Sequence, residues 1–294
     1  MSKGLITSCV SNIYEVEDLE TKKNIKCMPR GKFKIDEITP VVGDKIEFEY
    51  QNDGTGVINQ ILERTNYIKR PKMSNLTQII FVVSMKMPKP DLLLLDKQLV
   101  FAEYNDIKPI ICLNKIDLVN DKIINEIENV YKKIGYTVIK TNAKKGEGID
   151  KILELLENNI TAFSGNSGVG KSTLINNIFK DILTSEGEIS SKNKRGKNTT
   201  TSIKLYKIND NSYIADTPGF STFDIYEIQS ENLADYFIDM VTYIKDCEFV
   251  GCTHIKEENC GIKKALEAGK INSKRYETYV RLYNELKEKE KHKW

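Results

Sequence analysis

No run of apolar residues in this chain approaches the roughly 18 needed to cross a bilayer. The N-terminus, "MSKGLITSCVSNIYEVEDLE", has no basic stretch followed by an apolar segment of signal-peptide length. Membrane-spanning and exported classes are thereby disfavoured, and a cytoplasmic protein with no membrane partner is expected. Net charge is nearly lacking too: +2 over 294 residues, so the bulk balance names no partner. Internal repeats and low-complexity linkers are also missing. In a reducing compartment disulfides are excluded, which leaves six cysteines as free thiols or metal ligands. Three of them crowd between Cys247 and Cys260 and require a specific explanation.

What is present divides into three textures. With 40% apolar residues the chain can bury real cores, and its length suits two or three domains. From about residue 4 to 68, short β-rich runs such as "GLITSCV", "IYEVE", "DKIEFEY" and "GVINQILE" are broken by Gly/Asp turns. That spacing predicts a small closed β-barrel. From about 77 to 223, apolar runs such as "QIIFVVS" and "KPIICLNK" alternate with helical periodicity such as "LLLLDKQLVFAEYND". Buried parallel strands joined by helices are the economical reading. The last 65 or so residues look mainly helical on either side of the cysteine cluster.

The strongest chemical signal is "GNSGVGKS", Gly165 to Ser172, with a strand-like "ITAFSG" before it and a helix-like "STLINNIF" after it. This is the full phosphate-loop pattern in the context it requires. Backbone N–H groups of Gly165, Asn166, Ser167, Gly168, Val169 and Gly170 are expected to turn around phosphates, followed by Lys171, Ser172 and Thr173. Lys171 offers its ammonium to the β and γ oxygens, and the Ser172 hydroxyl can ligate Mg²⁺. The base is set by "NKID", which closes the apolar strand "KPIICL". Asp117 can accept both the N1–H and the exocyclic amine of guanine, whereas adenine offers the wrong donor pattern. Asn114, Lys115 and Ile116 complete the clamp, the first two tying it to the ring and the phosphate loop.

Further elements fit the same site. "SYIADTPGF" delivers Asp216 toward Mg²⁺ through water and the Gly219 N–H toward the γ-phosphate, as a second switch does. "NTTT" lies where the first switch supplies a threonine to the metal, and either Thr200 or Thr201 can be that residue. "VIKTNAKKGEG" has the form of the second base loop, with Thr141 to Lys144 standing where many GTPases have Ser-Ala-Lys and Asn142, Ala143 and Lys144 as the expected contacts. In chain order these are base clamp, second base loop, phosphate loop, switch one, switch two. The usual order begins with the phosphate loop, so the domain is expected to be a circularly permuted P-loop GTPase.

The permuted order, the barrel in front and the cysteine cluster behind resemble the bacterial small-subunit-dependent ribosomal GTPases, the RsgA family, also called YjeQ or EngC. The resemblance covers nearly the whole chain and includes "VVGD", "LLLLDKQLVFAE", "NKIDL", "GNSGVGKSTLIN" and "DTPGF". It implies an OB-fold barrel over 1–68 that binds RNA, the permuted GTPase over 69–226, and a helical zinc-binding domain over 227–294. It also implies GTP and GDP as ligands, the 30S subunit and its rRNA as partners, and action late in 30S maturation, with subunit-stimulated hydrolysis driving release. Other readings are a GTPase acting in translation on another RNA, and a ribosome-binding adaptor whose GTP is structural. A monomer is expected.

"CEFVGCTHIKEENC" supports the resemblance independently: Cys247, Cys252, His254 and Cys260 form a complete tetrahedral ligand set for one zinc ion. With all four positions taken, the zinc is expected to be structural. Phe220 stands after "DTPG", where Ras-like enzymes carry the glutamine that orients water. The resembled family usually has histidine before the switch-one threonines, and this chain has Asn198. Slow intrinsic hydrolysis completed by a partner is therefore expected.

Two basic segments suit RNA. Six Lys/Arg and no acid lie between Lys192 and Lys207. From Ile262 onward ten Lys/Arg face five Glu, with Tyr276, Tyr279, Tyr283 and Trp294 interleaved. That stretch reads equally well as an amphipathic helix whose tyrosines face the core. Finally, "DTPGFSTF" runs directly into the C-terminal domain, so loss of the γ-phosphate is expected to move that domain.

Overall fold

The computed structural model describes residues 1–31, 38–185, 203–216 and 224–292. Its first five strands are β1 (Ser2–Val10), β2 (Ile13–Asp18), β3 (Asn24–Pro29), β4 (Lys45–Tyr50) and β5 (Gly56–Ile61). β3 and β4 alternate inward and outward residues, and Ile6, Val16, Phe48 and Ile58 fill the interior with no exposure at all. The strand order β1-β2-β3-β5-β4 closes because β4 pairs back on β1. β3 and β5 run parallel while the other pairs are antiparallel. This is a closed five-stranded barrel of the OB type. A hairpin of β6 (Tyr67–Lys69) and β7 (Lys72–Ser74) follows it.

The central sheet holds β8 (Gln78–Ser84), β9 (Lys108–Asn114), β10 (Thr137–Thr141), β11 (Ile160–Ser164), β12 (Lys204–Asn209) and β13 (Ser212–Asp216). In space their order is β10-β9-β8-β11-β13-β12, all parallel except β12. β8, β9 and β11 are buried on both faces, which is why they read as unbroken apolar runs. Helices α1 (Leu92–Tyr104) and α2 (Asp121–Ile134) cover one face, against Phe81, Val83 and Ile111. On the other face α3 (Ile149–Leu156) and α4 (Lys171–Ser185) pack against Ile80, Val82 and Phe163. From β8 the chain steps outward to β10; from β11 it steps to the opposite edge. The reversal falls between β8 and β11, and the crevice above their carboxyl ends is where such sheets bind ligands.

The C-terminal region is helical but more broken than the residue pattern suggested. A 3-10 helix (Ser230–Tyr236) gives way at Phe237 to α5 (Ile238–Ile244), followed by α6 (Gly261–Glu267) and α7 (Ser273–Lys291). The break is enforced by Phe237, whose fully buried ring packs edge-on against Tyr279 with centroids 5.5 Å apart. Asn272 starts α7 by accepting from the N–H groups of Lys274 and Arg275. Tyr279 and Tyr283 are buried and Tyr276 is half-buried, so the tyrosines of α7 face the core. Among the described residues no helix is long and apolar enough to cross a membrane.

Among the described residues, two contacts tie the barrel and the helical region to the central sheet and its helices. The barrel meets the sheet edge where β1 pairs with β12 at Ser8 and Lys204. Beside it, buried Glu17 accepts from Lys207 Nζ at 2.7 Å and Tyr213 Oη at 3.1 Å. The helical region meets α1 and α2 through Arg275, which is only 2% exposed. Its guanidinium takes both oxygens of Asp239, Nη2 at 2.7 Å and Nε at 3.0 Å, and also contacts Asp96 of α1. Burial disfavours the Arg275 charge, but Asp96 and Asp239 more than offset this and hold the side chain protonated. The expected swing of the C-terminal domain from switch two must therefore contend with a buried clamp.

Candidate nucleotide site and metal cluster

Strand β9 ends at Asn114, which is 1% exposed. Its Oδ1 accepts from Thr141 Oγ1 and from the Ala143 N–H, both at 3.0 Å, and its Nδ2 donates to the Val169 carbonyl at 2.9 Å. One amide thus joins the base clamp, the second base loop and the phosphate loop. Fit at this junction is so close that a Cβ on Gly170 would sit 2.2 Å from Asn114 Nδ2. With φ at +105°, Gly170 is a position for glycine on both counts. At the other end of the loop, a Cβ on Gly165 would lie 2.3 Å from the Val82 carbonyl oxygen of β8.

Lys115 follows with φ at +62°, turning the chain into a short 3-10 turn, Ile116–Leu118. Its Nζ donates to the Gly168 carbonyl at 2.7 Å and to the Met87 carbonyl. The turn leaves Ile116 half-buried and exposes the Asp117 side chain. In the second base loop Asn142 and Ala143 are buried and Lys144 is exposed. The loop is closed by the Asn142 and Glu147 backbones and tied to α4 by Asn177, which donates to the Ala143 carbonyl.

Val169 is buried and pins the phosphate loop, while Ser167 and Gly168 are exposed. Lys171 opens α4, its Nζ donating to the carbonyls of Gly165 at 2.6 Å and Asn166 at 2.9 Å. Burial lowers its pKa from the ordinary lysine value, so an anion in the loop would regain electrostatic energy that desolvation removes. Ser172 and Thr173 are exposed in the first turn of α4, where the helix dipole favours phosphate. Asp216 ends β13 beside β11 at the same carboxyl edge. Asn198, Thr200, Thr201, Gly219 and Phe220 lie outside the described residues. The structure thus brings Asn114, Lys115, Ile116, Asp117, Asn142, Ala143, Lys144, the loop from Gly165 to Thr173, and Asp216 to one rim. Its donor-rich loop and helix terminus fit a Mg²⁺-bound triphosphate, as expected for a GTPase.

The second centre lies in the helical region. The ligand atoms of Cys247, Cys252, His254 and Cys260 are all within 4.8 Å of one another. Cys247 Sγ is 3.9 Å from Cys260 Sγ and 3.5 Å from His254 Nδ1, which is 3.3 Å from Cys260 Sγ. A tetrahedron with Zn–S bonds of about 2.3 Å has edges of about 3.8 Å, so the cluster fits one structural zinc ion. Burial lowers the His254 pKa and keeps the imidazole neutral, as a ligand must be. It also pushes the free Cys252 thiol up to about 12, a cost that a bound cation removes. The Gly261 N–H donates to Cys247 Sγ at 3.3 Å. Tyr276 and Tyr279 of α7 donate to the carbonyls of His254 at 2.7 Å and Thr253 at 2.8 Å. Their hydroxyls fasten the metal loop to the helix that carries Arg275.

These features have counterparts elsewhere. A family model described as RsgA GTPase matches residues 61–226, and one described as RsgA N-terminal domain matches residues 3–58. The chain belongs to the RsgA GTPase family. Relatives called small ribosomal subunit biogenesis GTPase RsgA occur in Thermotoga petrophila and Alkaliphilus metalliredigens, each 39% identical. The first alignment covers 97% of this chain and 96% of the relative; the second covers 98% of both. Among solved structures, YjeQ from Thermotoga maritima superposes with a TM-score of 0.86 at 37% identity, over 97% of this chain and 98% of that one. YloQ, described as a circularly permuted GTPase, gives 0.83 at 34% identity, over 98% and 96%. As an RsgA-family member the chain is a GTP hydrolase, and the permuted strand order agrees with that of its structural relatives.

Several residues of consequence carry no motif. Arg275, Asp96 and Asp239 form the clamp, and Glu17 with Lys207 forms the other junction. The lone acid in "LLLLDKQLV" was the one available hint, since a carboxylate inside an apolar helix face requires a buried partner. The basic stretch from Lys192 to Lys207 is also less available than its composition suggests. Lys207 is committed to Glu17, and Lys204 lies 3.8 Å from Glu15.

Proposed function

We propose that this chain binds the small ribosomal subunit late in its maturation, hydrolyses GTP there and leaves as the GDP form. The observation that carries the reading is a guanine clamp, a phosphate loop and a Cys3His cluster in one permuted chain, whose full-length relatives are called small ribosomal subunit biogenesis GTPases. The division into a barrel over 1–68, a GTPase unit over 69–226 and a helical unit over 227–294 follows this reading. Base recognition belongs to Asp117, with the Ala143 and Lys144 loop closing over the ring. The triphosphate belongs to the loop from Gly165 to Gly170 and to Lys171, whose ammonium moves from the loop carbonyls to the β and γ oxygens. Ser172, Asp216 and either Thr200 or Thr201 would hold Mg²⁺, which neutralises phosphate charge when bound. The Gly219 N–H would serve the γ-phosphate.

Since neither Phe220 nor Asn198 can act as a base, the subunit supplies the order that the attacking water needs. Basic side chains of the switch-one segment and exposed ones of α7 meet rRNA phosphates; the chain acts as a cytoplasmic monomer. GTP turnover by the purified protein with 30S subunits, 50S subunits or neither tests this reading. The 30S subunit alone should accelerate hydrolysis, and equal rates in all three would overturn the assignment. Asp117→Asn should shift preference from guanosine to xanthosine nucleotides in a competition binding assay; unchanged GTP affinity would remove Asp117 from base recognition.

A further inference from the structure

The phosphate-loop pattern leaves its second residue free, and here that residue is Asn166. Its side chain is nevertheless committed: Nδ2 donates to Asp91 Oδ2 at 3.2 Å. The other oxygen of Asp91, Oδ1, accepts from the Leu94 N–H at 3.0 Å and caps α1. One carboxylate therefore spans the start of α1 and the phosphate loop, beside a small crevice lined by Pro88, Lys89, Gly165 and Asn166. The Asn166 carbonyl is in turn one of the two that hold Lys171. Helix α1 is a firm reference for this bond, because Asp96 on it is buried against Arg275 and accepts from Tyr131 Oη at 2.9 Å.

A carboxylate at the mouth of a polyphosphate site is electrostatically unfavourable, since it repels the ligand by simple Coulomb interaction. Serine, threonine or asparagine would cap the helix without that repulsion. We propose that Asp91 is a positioning residue of the nucleotide site: it orients Asn166, and through it the first turn of the phosphate loop, against the fixed frame of α1. Asp91 touches no nucleotide; its effect passes through the Asn166 backbone.

The sign of a single substitution separates this role from the alternatives. Asp91→Ser keeps the helix cap and removes the charge, but its single hydroxyl is too short to serve both the Leu94 N–H and Asn166 Nδ2. Positioning predicts GDP and GTP affinities about fivefold weaker, the effect of one lost hydrogen bond of typical net strength. A purely electrostatic Asp91 predicts tighter binding instead, and a purely capping one predicts no change. Asn166→Ala should reproduce the loss, and the double variant should be no worse than either single one, because all three remove the same bond. The measurement is displacement of a fluorescent GDP analogue from the full-length protein, with melting temperature followed alongside. Tighter or unchanged binding in Asp91→Ser, or additive losses in the double variant, would overturn the proposal. Should Asp91→Ser fail to fold, Asp91→Thr, which also caps the helix and is equally short, carries the same comparison.

Discussion

The two ends of the molecule are fastened to the same GTPase core in different ways. The barrel is hung on the edge of the sheet: β1 pairs with β12 at Ser8 and Lys204, and Glu17 is the buried acceptor beside that contact. Lys207, its partner, keeps 31% of its side chain exposed. The helical region is instead sunk into the face of the core, with Arg275 and both of its carboxylate partners almost wholly buried. Phe237 and Tyr131 cover the guanidinium at 5.2 Å and 5.6 Å from their ring centroids. A junction whose cation is partly exposed yields at less cost than one whose cation and both anions are buried. The helical end thus moves with α1 and α2, and the barrel end moves with β12.

Substitutions at each junction sharpen the contrast. Arg275→Met should have the largest effect, about 3 to 5 kcal/mol of unfolding free energy, because Asp96 and Asp239 are left buried without a counter-charge. Denaturant titration measures it, and limited proteolysis should cut between the GTPase core and α5. Lys207→Met should cost less, about 1 to 2 kcal/mol, since Glu17 keeps Tyr213 and gains access to water. A Lys207→Met penalty equal to that of Arg275→Met would erase the distinction.

A smaller effect is expected within the metal loop. Burial raises the Glu257 pKa, but the N–H groups of Thr253 and Ile255 and the Thr253 hydroxyl outweigh it and bring the value to about 2. A depressed carboxyl contributes stability that is present above its unfolded value, near 4.5, and is lost as pH falls toward about 2. Glu257→Gln should therefore cost about 1 kcal/mol at neutral pH, discounted for partial exposure. The gap between variant and parent should close as pH falls from about 4.5 to about 2; a gap that stays constant with pH would show that shape rather than charge is lost.

How much of this was legible in advance depends on whether the determinant is local. The phosphate loop, the base clamp and the Cys3His run are short contiguous patterns, and so are the apolar strands β8, β9 and β11. Order along the chain was enough to infer the permutation, because each motif marks the end of its own strand. The junctions were not legible, since Arg275 and Asp96 are 179 positions apart and neither belongs to a spacing rule. Tyrosine placement on α7 followed from helical periodicity once the partner face was known. The break at Phe237 did not, because it reflects an aromatic contact with a distant helix. The anchoring of Asn166 by Asp91 escaped for the same reason: each residue is unremarkable in its own segment.

Distances between spin labels on the full-length protein test the difference between the junctions most directly. Labels at positions 151 on α3 and 287 on α7 report the helical end; labels at 151 and 26 on β3 report the barrel. Compared between the GDP state and a non-hydrolysable GTP state, the 151–287 distance should stay narrow and unchanged, while the 151–26 distance broadens or shifts. A nucleotide-dependent shift confined to the 151–287 pair would contradict the account and restore the C-terminal domain as a lever driven from switch two.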